Sequence, residues 1–355
     1  MTFRNAAPTP ESRIGATPNP GWTVPQRSLD RRQWIADALA TCGALASLRA
    51  HAAREAGFPA RPVRLVVPYS VGVGPDVVAR SVAEPLSQRW GQPMLVDNKP
   101  GASGIVAFTD VRRTPADGHT LFLADSGTLV VNPLLHASLP YDPERDLIPL
   151  TLLFRATFVV WVGGASRFRG VADLLDAARR APGGVSYASL GNGHPSQVAI
   201  ETLAYAAGVR LLHVPFKDAG ALFAAVAAGE VDFTAFSVNT VAGLAASGRL
   251  RALAVAARSR LATHPQIPTL AEAGAPAVEM HPWAALVTVA GTAAPVAQQL
   301  QRDIAEVLAL PAVQRRAQDS GFELTPSPPQ AVLDRMRADA ALVSPLVADG
   351  RLAPI

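Results

Sequence analysis

Four short loops carry the residues of this chain that could grip a small polar molecule. The first, Tyr69-Ser70-Val71-Gly72-Val73-Gly74-Pro75-Asp76, follows the apolar run Val63 to Val67 and Pro68. The second, Asp125-Ser126-Gly127-Thr128, follows His119 to Ala124. The third runs from Ser189 through Gly191-Asn192-Gly193-His194 to Pro195 and Ser196, after Val185 to Ala188. The fourth is Phe216-Lys217-Asp218-Ala219. Each lies where a β-type run gives way to a helical pattern. Free backbone N–H groups and the positive end of the helix dipole meet at such junctions and favour an anion. Glycine lets the backbone come close to it.

The chemistry expected of Tyr69, Ser70, Val71, Gly72, Ser126, Gly127, Thr128, Ser189, Gly191, Asn192, Gly193 and Ser196 is therefore capture of a small acid. Gly72 and Gly193 are expected to bring N–H groups to a carboxylate, and a side chain at either should obstruct binding while the loop still folds. Lys217 could neutralise an acid, although solvent exposure is the default for a lone lysine. His194 could touch the ligand, with loop packing an equal alternative. Asp76 reads two ways. A carboxylate near a helix start is stabilised by the dipole, and it would repel an acid unless it points away or holds an ammonium group of the ligand.

Other chemistries find less support. No G-x-S-x-G elbow exists, and the seven histidines show neither H-x-H nor H-E-x-x-H spacing, so neither a catalytic triad nor a metal is expected. His213, in an apolar strand, reads as a core histidine. Gly72-Val73-Gly74, with Asp97 ending the next β run, imitates a dinucleotide fingerprint, but the third glycine position is Val77. No cofactor is expected; an exported nucleotide-dependent oxidoreductase is the enzyme alternative.

The elements that must position these loops alternate regularly. Pro75 opens a helix in which Val78, Val82 and Leu86 share a face, Pro85 should kink it, and Gly91 ends it before the strand Met94 to Val96. Phe158 to Val162 reads as a buried strand crossing between domains. From Val171, helices of about ten residues alternate with the strands Val185–Ala188, Leu211–Phe216, Val231–Phe236 and Leu250–Ala256. That order predicts an α/β fold with a parallel sheet, helices on both faces and ligands beyond the strands' carboxyl ends. Ala294 to Leu308 and Pro329 to Val343 are expected to cover the first domain's sheet.

With 355 residues, 49% of them hydrophobic, the chain suffices for two domains. Residues 1–52 hold six arginines against Glu11, Asp30 and Asp37, which leaves only +1 of the net +4 for the body. No basic run interleaved with aromatics occurs, so a nucleic-acid partner is not expected. Arg31-Arg32, the apolar stretch Ala38 to Leu48 and Ala50-His51-Ala52 have the layout of an export signal of twin-arginine type. A cytosolic amphipathic helix is the alternative. The only cysteine, Cys42, lies in this leader; Leu39-Ala40-Thr41-Cys42 is a poor lipoprotein box.

Taken in order, RPVRLVVPYSVGVGPD, LVDNKPGASG, ADGHTLFLADSGT, LPYDPERDLIPL, SLGNGHPSQ, HVPFKDAG and IPTLAEAG resemble the substrate-binding receptors of tripartite tricarboxylate transporters, the Bug receptors. The resemblance covers about residues 61–345. It implies a type II periplasmic binding-protein fold: domain 1 from 61–157 and 278–355, domain 2 from 158–277, joined by a hinge around a ligand cleft. It further implies a periplasmic monomer that takes a small organic acid (a di- or tricarboxylate, an acidic amino acid or an aromatic acid). The acid would pass to membrane transporter subunits, or be reported to a sensor protein. In such receptors the loops matching Tyr69 to Asp76 and Ser189 to Ser196 hold the carboxylate. Pro75 replaces the usual hydroxyl residue and Asp218 the usual glycine, and the extra acid argues against a tricarboxylate.

Overall fold

The central strands of the first sheet are apolar runs shielded from water. β1 (Val63–Val67) is buried at four of its five positions. Beyond its loop, α1 (Gly74–Trp90) starts with proline in its first turn and stops at Gly91, whose φ of 61° is left-handed. The helix passes through Pro85 unbroken, because Val78, Val82 and Leu86 hold it to the sheet on both sides of the proline. β2 (Met94–Asn98), α2 (Ile105–Arg112) and β3 (Thr120–Asp125) complete the opening units. After Ser126 a π-type turn, Gly127–Val131, runs into the short helix α3 (Asn132–Leu135), so the loop expected at 125–128 is already helical. α4 (Pro143–Asp146) precedes β4 (Leu147–Arg155). This computed structural model describes residues 57–279 and 281–354; the leader reading and Cys42 lie outside them.

The chain then builds a second sheet from β5 (Val159–Gly163), α5 (Val171–Arg180), β6 (Ser186–Ser189) and α6 (Pro195–Ala206). β7 (Leu212–Pro215), α7 (Ala219–Ala228), β8 (Phe233–Phe236), α8 (Ala242–Ala246) and β9 (Leu250–Val255) finish it. It returns through β10 (Trp283–Val289), α9 (Ala294–Leu308), α10 (Pro311–Asp319), β11 (Glu323–Leu324) and α11 (Pro329–Ala348).

Strand order is β11-β4-β10-β3-β1-β2 in one sheet and β7-β6-β8-β5-β9 in the other. The parallel sheet expected from the alternation is corrected: each sheet is mixed. β10 runs antiparallel between β3 and β4, and β5 antiparallel between β8 and β9. Both are strands that arrive from the other sheet. Each enters where its neighbours finish, Ala284 opposite Asp125 and Val159 opposite Phe236, and so must run the other way. The two crossing segments meet where the Ala156 N–H donates to the Pro282 carbonyl at 2.9 Å.

Helices cover both faces of both sheets. α9 seals the first sheet through Leu300, Ile304 and Leu308, as its pattern predicts. α11 does more than expected. Val332 and Met336 pack on the other face of the first sheet, while Val343 and Leu346 leave it for Val131, Leu135 and Val198 of α6. Beyond α11, the Arg351 side chain is 6% exposed and donates to the Val209 carbonyl at 2.8 Å, tying the end of the chain to the second lobe.

Candidate functional site

The loop after β1 is folded around a buried acid. Asp76 is 1% exposed; its Oδ2 accepts from the Gly72 N–H at 2.8 Å and Arg80 Nε at 3.0 Å, and its Oδ1 from Asn98 Nδ2 at 2.8 Å. Burial by itself would raise this carboxyl's pKa, but the donors Arg80, Gly72 and Asn98 outweigh it and hold it below the usual range. Asp76 therefore braces the loop, with both carboxylate oxygens already bonded. The Gly72 N–H, expected to meet a carboxylate, already meets one from its own helix. What the loop presents outward is Ser70, Gly72, Val73 and Val71, which is 69% exposed.

The β3 end is closed in the same fashion. Asp125 Oδ1 accepts from the Thr128 N–H and the Thr128 hydroxyl, both at 2.7 Å, and its Oδ2 from the Tyr69 hydroxyl. Burial first, and then the Asp125 charge, push the Tyr69 hydroxyl well above its ordinary pKa, so it stays a donor. Thr128 is wholly buried, its carbonyl taken by Tyr141 Oη at 3.0 Å, and Ser126 is 8% exposed.

In the third loop Gly191 and Gly193 have φ of 106° and 72°, which favour glycine. The Gly193 N–H donates to Gln197 Oε1 at 2.7 Å. His194 caps α6: its Nδ1 accepts from the Ser196 N–H at 3.1 Å, which leaves the proton on Nε2. Burial pushes this imidazole down to about 4, against the pull of Asp125. Ser189 and Ser196 are fully buried; Ser189 Oγ lies 2.6 Å from His213 Nε2, and Ser196 Oγ 2.7 Å from His194 Nδ1. His213 has Gln197 Nε2 at 3.2 Å on its other nitrogen, so its ring is satisfied, but it is half-buried on the edge strand β7 and not the core histidine expected. Thr128, Ser189 and Ser196 thus serve the loops, and their donors are spent internally. Asn192 stays exposed at the tip.

The first three loops converge. Tyr69 joins the first to the second. A Cβ on Gly127 would lie 4.0 Å from the Gly193 carbonyl, and one on Gly193 only 3.1 Å from Leu135 Cδ1 and 3.4 Å from Val131 Cγ1. The fourth loop contributes an exposed Lys217 with no ion pair among the described residues, while Asp218 caps α7 through the Ala221 N–H at 2.9 Å. A further contact between the lobes is Asn239, whose Nδ2 donates to the Gln318 and Asp319 carbonyls at 3.0 and 2.8 Å.

Asp125, Gln197 and Asn239 were not among the expected site residues. For Gln197 a signal was available: it stands four residues after Gly193, as Asp76 stands four after Gly72. Asp125 three residues before Thr128 has helix-cap spacing. Nothing local announces Asn239, whose partners lie about eighty residues away.

Comparison with known proteins completes the picture. The sequence profile of the tripartite tricarboxylate transporter family receptor matches residues 78–345. This chain belongs to that receptor family. Within the family, a UPF0065 protein from the tcbD-tcbE intergenic region of Pseudomonas sp. (strain P51) is 33% identical over 310 residues, spanning 87% of this chain and 92% of the relative. Among solved structures, R. palustris Rpa4515 with adipate aligns with a TM-score of 0.76 and 29% identity, over 84% of this chain and all (100%) of that one. MatC from Rhodopseudomonas palustris with bound malate aligns with a TM-score of 0.71 and 26% identity, over 82% and 100%. The fold is that of these solute-binding proteins.

Proposed function

We propose that this protein is an exported, periplasmic solute-binding receptor that captures a small organic carboxylate and delivers it to a tripartite tricarboxylate-type membrane transporter. The observation that carries the reading is the convergence of three strand-end loops from both sheets in a member of this receptor family. Relatives of the same fold with adipate and malate support the ligand class. The protein acts by binding, as a monomer, and needs no cofactor. Domain 1 (61–157 and 278–355) and domain 2 (158–277) close over the ligand about the crossing segments, and closure is what the membrane partner reads. Export by the twin-arginine route, through Arg31 and Arg32, belongs to the same proposal.

With the N–H groups of Gly72, Thr128 and Gly193 used internally, the side-chain donors left for the acid are Ser70, Ser126, Asn192, His194 Nε2 and Lys217. A thermal-shift panel of mono- and dicarboxylates, adipate and malate included, tests this. A cognate acid at about 100 times its Kd adds roughly 2.7 kcal/mol of apparent stability. Asn192→Ala and Lys217→Ala should each reduce that gain without changing the ligand-free melting temperature. A panel in which no carboxylate raises the melting temperature overturns the reading.

A further inference from the structure

The converging loops contain one carboxylate that nothing neutralises. Other buried or half-buried acids of the first lobe have cations: Asp76 has Arg80 at 3.0 Å, and Asp97 and Asp110 share Arg64 at 3.0 and 2.8 Å. Asp125 has no such partner among the described residues. Its donors are the neutral Tyr69 hydroxyl and the Thr128 N–H and hydroxyl. Tyr69 keeps its proton, and the buried His194 imidazole opposite is neutral at neutral pH. Acceptors also stand beside Asp125. A Cβ on Gly127 would stand 3.3 Å from Asp125 Oδ1 and 4.0 Å from the Gly193 carbonyl, so two acceptors from opposite lobes flank this residue. The N–H groups that could have suited an anion there, those of Thr128 and Gly193, are bonded to Asp125 and Gln197. An acceptor-lined spot with a net negative charge suits a cationic donor.

We propose that Asp125 selects the charge of the ligand: the cleft takes a carboxylate that also bears an ammonium group, seats that group beside Asp125, and disfavours a second carboxylate there. This rests on the reading of the cleft as a carboxylate site. Asp125 also caps the helical turn at Gly127–Val131, a role that would leave ligand charge preference untouched.

Calorimetry on the full chain with length-matched pairs separates the two roles: succinate against 4-aminobutanoate, and adipate against 6-aminohexanoate. In the unaltered protein the amine-bearing member of at least one pair should bind ten times more tightly or better. Asp125→Asn keeps an acceptor for the Thr128 N–H and removes the charge, and should improve binding of the dicarboxylate of that pair at least tenfold relative to the amine. Tighter dicarboxylate binding by the unaltered protein, with Asp125→Asn changing the ratio less than twofold, overturns the inference and leaves the carboxylate reading standing. Failure of both members of both pairs, and of malate and aspartate, removes that reading and the inference with it. Should Asp125→Asn not fold, the pair preference of the unaltered protein decides alone.

Discussion

The loops after β1 and β6 are built to the same plan with opposite materials. In each, a glycine of positive φ precedes a helix, and its N–H donates to a side chain four residues on: Gly72 to Asp76 at 2.8 Å, Gly193 to Gln197 at 2.7 Å. The first uses a buried charge backed by Arg80 and stands in open space, with nothing within 4 Å of a Cβ on Gly72. The second uses a neutral amide within a serine–histidine network and is seated against α3. The first loop is braced from within its own lobe; the second is shaped partly by the lobe across from it.

That contrast breaks hardest at the glycines. Gly193→Val would press on Leu135 and Val131 and also strain a φ of 72°. Backbone strain of about 1–2 kcal/mol and overpacking of about 1–3 kcal/mol should together cost roughly 3–4 kcal/mol in urea denaturation. Gly72→Val meets only the strain and should cost about 1–2 kcal/mol. The expectation that both variants would fold equally well is thereby revised for Gly193, and equal losses would mean that its seat on α3 is loose.

The braces should differ next. Asp76→Ala leaves Arg80, Asn98 and the Gly72 N–H without their charged acceptor and should cost about 3 kcal/mol, most of it from the Asn98 and Gly72 hydrogen bonds, since the half-exposed Arg80 can turn to water. Gln197→Ala strands only the buried Gly193 N–H and one nitrogen of His213, for about 2 kcal/mol. Urea midpoints measured side by side give the order, and a Gln197→Ala loss above that of Asp76→Ala would reverse it.

The smallest effect is the pH at which each loop weakens. His194 is held neutral, with its pKa lowered from 6.5 to about 4, so the folded state binds fewer protons than the unfolded chain between those values. Its stabilising contribution is present above pH 6.5 and is lost as pH falls towards 4. Asp76, lowered from 3.8, contributes above that pH and loses its contribution only below it. Stability followed from pH 7 to 4.5 should therefore decline less steeply in His194→Asn, which retains a helix cap, than in the unaltered chain. Over the same range Asp76→Asn should keep the unaltered slope.

Legibility of the fold followed the locality of its signals. α5, with Val171, Leu174, Leu175 and Ala178 buried, and α9 were fully readable, because an apolar stripe and the residues that stop it lie within one segment. β4 and β10 were not read as strands, although they form the middle of the first sheet. β10 is buried at all seven positions and so lacks the alternation that marks a half-exposed strand. β4 carries Pro149, which argues against a strand; it is accommodated where the register with β10 shifts, between Leu286 and Val287. Antiparallel insertion of β5 and β10 was hidden for a related reason: strand direction depends on the path between lobes, which no window of ten residues contains.

The site divides along the same line. Residue order alone determined that strand ends, glycines and helix starts coincide at 72, 127 and 193, since proline, glycine and the capping spacing act over four or five residues. Which donors remain free was settled only in three dimensions. Asn98 reaches Asp76 across 22 residues, Tyr69 reaches Asp125 across 56, and Gly193 comes to rest on Leu135 of the other lobe. A backbone conformation is a local preference. The partner that satisfies a buried N–H is whichever acceptor packing delivers, and packing is a property of the whole chain.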